Sequence, residues 1–169
     1  MFKPLLLAAL LLIGQKPAKE AEPQTGLIAG TVVPPEKTTI NHPLQVILLA
    51  PQYVEMWNSD VQKRLDMYWE RYKPALAQKK ELFFELTKSA YQESLQFVVS
   101  RMSRDLGPAI SRFRGMSGPD GKFEFKDIPL GEYKVVAIGR ASDQMYIWVE
   151  STEISSSIPQ FLQLKKRVP

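Results

Sequence analysis

Residues 117–139 constrain the fold of this chain most, because they contain two alternating segments and the turns that bound them. The Pro-Asp-Gly triplet at 119–121 fixes one φ angle and then supplies a residue that accepts positive φ, which is typical of a tight turn. After it, Phe123 and Phe125 alternate with charged residues, and a second segment with period two runs over 132–138. This period is typical of half-buried strands, so the stretch predicts a β-hairpin.

Strand patterns also occur on either side of this stretch. Residues 26–33 and 44–50 are rich in β-branched and aliphatic residues, and each segment ends at a proline, which cannot donate to a ladder. We expect these two strands to pair or to face each other. Two further strands are predicted at 144–150 and 160–164, which gives about six to seven short strands in total.

The apolar period changes to about 3.6 from Asn58 onward, and helical spacing continues to Gly107. Pro74 interrupts this region, so we expect a break or a kink there. An unbroken helix of this length would extend roughly 70 Å at 1.5 Å per residue, which is too long for a small domain to cover. The sequence therefore predicts a mainly β fold, a β-sandwich with a helical excursion at 58–107 between strands two and three.

The N-terminus has the pattern of a secretory signal peptide. Lys3 precedes an apolar run at residues 5–13 that ends at Gly14, and this run is shorter than the roughly 20 residues of a membrane-spanning helix. We predict a signal peptide at 1–14, with cleavage as late as residue 21, a flexible linker at 15–25 and a folded domain at 26–169. The expected location is periplasmic or extracellular, with no stable membrane span after cleavage; the alternative is a membrane form anchored by an uncleaved signal.

The residue types argue against several chemistries. The chain has no cysteine, which excludes a lipoprotein anchor, disulfides and thiolate metal sites. His42 is the sole histidine and lies in a loop sequence, and no G-x-S-x-G motif presents a nucleophilic serine. Asp120 fits turn chemistry, whereas Glu81 and Glu85 alternate with lysines as a solvated helix face does. We therefore predict no enzymatic activity, no catalytic residue, no cofactor and no metal.

The net charge of +4 comes from basic residues that are scattered among acids. The one tight cluster, Lys165-Lys166-Arg167, follows a strand pattern and has no phosphate-binding loop beside it, so it is interpreted as a solvated tail. No nucleic-acid partner is predicted.

Aromatic residues are the remaining candidates for binding. Amphipathic rings are enriched where a protein surface meets a sugar or another protein, but they also pack helices onto sheets. Both interpretations stay open from the sequence. The candidate ligand-binding residues are Trp57, Trp69, Tyr72 and Trp148.

The order of these motifs resembles the carboxypeptidase regulatory-like domain, a transthyretin-like β-sandwich of the carbohydrate-binding-like fold group. The likeness lies in the Gly-x-Ile-x-Gly-x-Val segment at 26–32, the second strand at 43–48, the Asp-Gly-Lys-Phe-x-Phe segment at 120–125 and the Ile-Pro-x-Gly-x-Tyr-x-Val corner at 128–135. It does not extend over 51–116. The resemblance implies an Ig- or transthyretin-like sandwich that acts as a non-catalytic module.

These observations together predict a non-catalytic, exported accessory or binding module that makes protein-protein contacts in the cell envelope or outside the cell. The alternative is a carbohydrate-binding module that uses the aromatic residues as a stacking platform. The expected partner is accordingly a protein or a polysaccharide.

Overall fold

Two β-sheets and two long helices form the protein in a computed structural model, which describes residues 24–76 and 79–168. About 41% of the described residues are helical and 37% are in strands, so this part of the chain is mixed α/β rather than mainly β. The predicted signal peptide and most of the predicted linker lie outside the described residues. In chain order the elements are β1 (Thr25–Val32), β2 (Gln45–Leu49), α1 (Pro51–Leu76), α2 (Lys80–Leu106), a 3₁₀ helix (Gly107–Arg112), β3 (Arg114–Met116), β4 (Lys122–Pro129), β5 (Gly131–Ala141), β6 (Gln144–Ile154) and β7 (Gln160–Leu164).

The strands form a two-sheet sandwich. The first sheet has the order β4-β1-β7, in which β1 pairs antiparallel with β4 and parallel with β7. The second sheet has the order β3-β2-β5-β6, and its described pairs are all antiparallel. The helices lie between β2 and β3 in the chain, as predicted. The short strand β3 was missed, because three residues carry too little pattern to identify a strand.

The inner faces of the two sheets share one hydrophobic core. β1 and β2 lie in different sheets and contribute to this core from opposite sides, so they face each other, which was one of the two arrangements expected. Alternation places every second residue of each strand in the core. The main buried side chains there are Ile28, Val32, Val46, Leu48, Phe123, Phe125, Ile128, Tyr133, Val135, Trp148, Ile154 and Leu164.

The predicted hairpin between β4 and β5 is wrong, because these two strands belong to different sheets. The chain crosses from one sheet to the other at a corner where Asp127 and Gly131 both have positive φ, at 56° and 149°. The alternation correctly marked Phe123 and Phe125 as core residues. Alternation fixes the face that a residue occupies and leaves the partner strand open, so the corner resembled a hairpin turn in the sequence.

The hairpin that the chain does form joins β5 to β6. These strands pair continuously from Gly131 opposite Ile154 to Ala141 opposite Gln144, and Ser142 takes a positive φ of 50° in the connection. β6 is therefore longer than the predicted segment 144–150.

The tight turn at 119–121 is confirmed. Gly121 has a φ of 77°, and its carbonyl accepts a hydrogen bond of 3.0 Å from the amide of Val32. The Asp120 carboxylate accepts a hydrogen bond of 3.1 Å from the Lys122 amide, which is the turn chemistry expected of this residue.

The helical region is an antiparallel pair that packs on the outer face of the second sheet. α1 begins at Pro51 rather than at Asn58, because a proline is well tolerated in the first turn, where its missing N–H has no helical partner. Pro74 lies inside α1, and the helix ends two residues later at Leu76. β2 is consequently covered on both faces, which explains its continuous apolar sequence.

Candidate binding surface

The first half of α1 and the second half of α2 are anchored to the second sheet. Three residues of α1, namely Tyr53, Trp57 and Val61, are each no more than 5% exposed. Together with α2 they form a second core that lies between the helices and the sheet. The other buried members of this core are Ile47, Leu49, Leu95, Val98, Met102, Val136, Ile147 and Val149.

Trp57 is the central residue of this anchored part. Its indole Nε1 donates a hydrogen bond of 3.2 Å to the carbonyl oxygen of Tyr91 on α2. The two rings also meet edge to face, with centroids 5.8 Å apart and an interplanar angle of 80°. Such pairs stabilise a fold beyond their buried area, so Trp57 fixes the angle at which the helices pack.

Polar contacts hold the two helices together at the edges of this core. Arg64 binds Asp60 one turn earlier at 2.7 Å and reaches across to Glu93 on α2. Partial burial raises the pKa of the Asp60 carboxyl, but hydrogen bonding together with the positive charges of Arg64 and Lys63 outweighs this effect, and the pKa lies below its usual value of 3.8. The Tyr53 hydroxyl donates to Asp105 at 3.3 Å, and burial together with that carboxylate raises the pKa of the phenol.

Leu65 is the last described residue of α1 that packs against the second core. We call residues 65–76 of α1, together with Lys79 and residues 80–87 of α2, the hairpin end. No described residue of α1 in this region is buried, although its apolar period continues. The apolar side chains therefore remain accessible: Met67 is 50% exposed, Trp69 47%, Phe83 49% and Phe84 54%. Four of the eight exposed large hydrophobic residues in the described chain lie here, so this is its main apolar surface.

A shallow groove of about 210 Å³ lies between the two helices at the hairpin end. Its polar lining residues are Asp66 and Thr87, and its amphipathic ones are Tyr68 and Trp69. The apolar lining consists of Leu65, Leu76, Phe83 and Leu86.

Charged residues surround this apolar surface. Residues 71–80 contain four Lys or Arg and no acid, whereas Asp66, Glu70, Glu81 and Glu85 flank them. The hairpin end as a whole is therefore balanced in charge. The Arg71 guanidinium lies 5.6 Å from the centre of the Tyr72 ring, a cation–π contact on the outer surface.

The structure separates the four predicted binding residues into two groups. Trp57 and Trp148 are 2% and 0% exposed, so neither ring offers a face to a ligand in this conformation, and the expectation of a stacking role at these positions is corrected. The Trp148 indole instead donates a hydrogen bond of 3.0 Å to the carbonyl of Val33. Trp69 and Tyr72 both lie on the hairpin end, and Tyr72 is partly buried.

The sequence interpretation missed Phe83, Phe84 and Met67 as surface residues. Phe83 and Phe84 lie in the region where helical apolar spacing predicts a packed face, and no motif in the sequence marks Met67. Helical spacing shows which residues share a face, but it does not show where the supporting sheet ends. Only the length of the helices relative to the strands could have indicated an unsupported end.

The described residues that the sequence offered for catalysis or metal binding do not come together in a site. His42 is exposed in the loop before β2, and Glu85 contacts Lys88 on the surface of α2. Within residues 24–76 and 79–168, no three acidic or histidine side chains gather as metal ligands would. In the same part of the chain, no helix combines the length and apolarity needed to cross a bilayer.

Comparison with known proteins gives no sequence relative: no protein-family model matches the chain, and no curated protein matches it. Among solved structures, a candidate carbohydrate-binding protein from Pseudomonas aeruginosa is 15% identical, with 85% of this chain and 90% of that one covered and a TM-score of 0.38. The pilus backbone protein of Streptococcus pneumoniae is 11% identical, with 84% and 41% covered and a TM-score of 0.33. The function of this chain has to be inferred from its own geometry.

Proposed function

We propose that this protein is a non-catalytic, exported binding module that contacts a protein partner through its hairpin end. The observation that carries this proposal is the exposure of Trp69, Phe83 and Phe84 on a helical pair that extends past its supporting sheet. The sandwich acts as a rigid base in this account. The motif order at 26–32 and 128–135 supports a place among carboxypeptidase regulatory-like domains as part of the same proposal.

The composition of the hairpin end favours a protein over a sugar. Protein interfaces combine a core of aromatic residues, Met and Arg with a polar rim, and the hairpin end contains several aromatic residues together with Met67 and Arg71. Sugar sites require several polar groups beside the stacking ring to bind the hydroxyls. Among the described residues, the groove at the hairpin end offers Asp66, the Tyr68 hydroxyl and the Trp69 indole N–H, whereas the Thr87 hydroxyl already donates to the Phe83 carbonyl.

The mixed charge around the apolar surface supports the same choice. A bilayer surface attracts an excess of basic residues over acidic ones. The basic residues at 71–80 are matched by Asp66, Glu70, Glu81 and Glu85, so the hairpin end has no net charge to contribute to membrane attraction. A balanced rim suits a partner that has charges of both signs.

Quantitative capture from an extract of the source cells tests this function. The wild-type protein is compared with a Trp69→Ser/Phe83→Ser/Phe84→Ser variant. A matched control is Ile158→Ser/Phe161→Ser, since these residues are 68% and 79% exposed and are located away from the helices. We expect at least one protein to be retained by the wild type and by the control, and to be reduced about tenfold or more with the triple variant.

Two outcomes would contradict the proposal. In one, the triple variant retains the same proteins as the wild type in the same amounts. In the other, the purified protein binds neutral oligosaccharides or vesicles through the three substituted residues and retains no protein through them.

A further inference from the structure

A second candidate site adjoins the hairpin end and shares Glu85 with it, in a cleft between α2 and the edge strand β6. The cleft has a volume of about 490 Å³. One wall is a single face of α2 with Glu85, Lys88, Ser89 and Gln92, which recur at helical spacing. The floor is Met145, Tyr146 and Ile147 of β6, and the other wall is made by Lys165, Arg167 and Val168.

The basic side chains after β7 are exposed, as the sequence predicted, but the segment is not a free tail. Its backbone pairs with the open edge of β6: the amide of Val149 donates to the carbonyl of Lys166 at 2.9 Å, and the amide of Val168 donates to the carbonyl of Ile147 at 3.0 Å. Arg167 stands opposite Trp148 in this bridge. The segment is therefore held in an extended conformation, and Lys165 and Arg167 line the cleft while Lys166 does not.

The charges in the cleft are unbalanced. Three cations line it, namely Lys88, Lys165 and Arg167, against one carboxylate, Glu85. Glu85 contacts Lys88 at 3.4 Å, longer than a typical charge-assisted hydrogen bond. Among the described residues, Lys165 and Arg167 form no ion pair, and the Arg167 guanidinium instead lies 5.7 Å from the centre of the Tyr146 ring. The lining therefore carries an excess of two positive charges.

We propose that this cleft binds the phosphate group of a soluble organic phosphate ester. A phosphate monoester carries close to two negative charges at neutral pH and has three acceptor oxygens, which matches several converging cations. Ser89 and Gln92 supply further hydrogen-bond donors on the helix wall. The floor of Met145, Tyr146 and Ile147 suits an apolar body attached to the phosphate. This proposal is independent of the partner proposed for the hairpin end.

Isothermal titration of the full chain with phenyl phosphate at low ionic strength tests the site. Phenol serves as the uncharged control ligand. The test variant is Lys165→Gln/Arg167→Gln, and the control variant Lys122→Gln/Lys126→Gln removes the same charge from β4, where both lysines are exposed. We expect phenyl phosphate to bind the wild type and the control alike, and to bind the test variant about tenfold or more weakly. Binding should also weaken below about pH 6, where the phosphate gains a proton.

Lys88→Gln provides a second test that leaves the paired C-terminal segment unchanged, and it should also weaken binding. Equal loss in the test and control variants would assign the effect to overall charge and overturn the proposal. A titration that does not saturate at millimolar phenyl phosphate would also overturn the proposal. Co-sedimentation with phosphatidic acid vesicles, without a response to phenyl phosphate, would assign the cleft to a lipid surface and contradict a soluble ligand.

Discussion

Substitution of Trp57 by alanine should destabilise the protein severely, because this residue joins both helices to the sheet. The side chain is 2% exposed, donates a hydrogen bond to the Tyr91 carbonyl and packs edge to face on the Tyr91 ring. Removing a buried tryptophan typically costs about 3–5 kcal/mol. Within that total the hydrogen bond contributes about 1 kcal/mol and the aromatic pair about 0.5–1.5 kcal/mol.

Two further variants separate the contributions. Trp57→Phe keeps most of the buried ring but loses the indole N–H, so we expect a cost of about 1–2 kcal/mol. Trp69→Ala is the matched control, since Trp69 lies on the same helix but is 47% exposed at the hairpin end. Its cost should stay near 0.5 kcal/mol, the usual size of a surface substitution.

Urea denaturation followed by far-ultraviolet circular dichroism measures these differences as shifts of the transition midpoint. The slope of the transition should stay constant across the series, because the fold and its buried area are otherwise unchanged. A cost below about 1 kcal/mol for Trp57→Ala would refute the reasoning, since a buried residue of this size cannot be removed so cheaply. Equal costs for Trp57→Ala and Trp69→Ala would also refute it.

Three further predictions concern stability. Gly121→Ala should cost about 1–3 kcal/mol in thermal or chemical unfolding, because φ is 77° and a Cβ would lie 2.8 Å from the Val32 carbonyl; an unchanged midpoint would contradict this turn. Asp60→Asn should lower stability by less than about 1 kcal/mol near neutral pH. Since Arg64 lowers the folded pKa of Asp60 below 3.8, this difference is present above that pH and is lost as pH falls through the lowered value; a difference that grows on acidification would oppose it. Tyr133→Phe should cost about 1 kcal/mol, because its hydroxyl donates a 3.0 Å hydrogen bond to the end of β4; a neutral result in urea would count against that bond.

Local patterns in the sequence were sufficient to predict most strands and the faces of their residues. Phe123 and Phe125 are core residues, as period two implies, and Val46 and Leu48 of the continuously apolar β2 are core residues as well. The partner of each strand was harder to predict, because the same alternation is compatible with a hairpin and with a crossing between sheets. The positive φ angle of Gly131 belongs to the corner at which the chain crosses between the sheets, and the side-chain pattern does not predict this angle.

The binding surface was only partly predictable for a related reason. An aromatic residue on a helical apolar stripe is buried or exposed according to what lies beneath it. Trp57 and Trp69 belong to one helix, yet the sheet covers the first and ends before the second. Trp69 and Tyr72 could be selected as candidates from the sequence, whereas the accessibility of Phe83 and Phe84 depends on tertiary structure alone.

The central claim is that the hairpin end contacts a protein partner. Photo-crosslinking in the source cells tests it most directly, with a benzoylphenylalanine placed at Phe84, which is 54% exposed, and in a separate variant at Phe161, which is 79% exposed. The account predicts a discrete protein adduct from position 84 and none of comparable yield from position 161. Adducts of equal yield from both positions, or an adduct from position 161 alone, would contradict it.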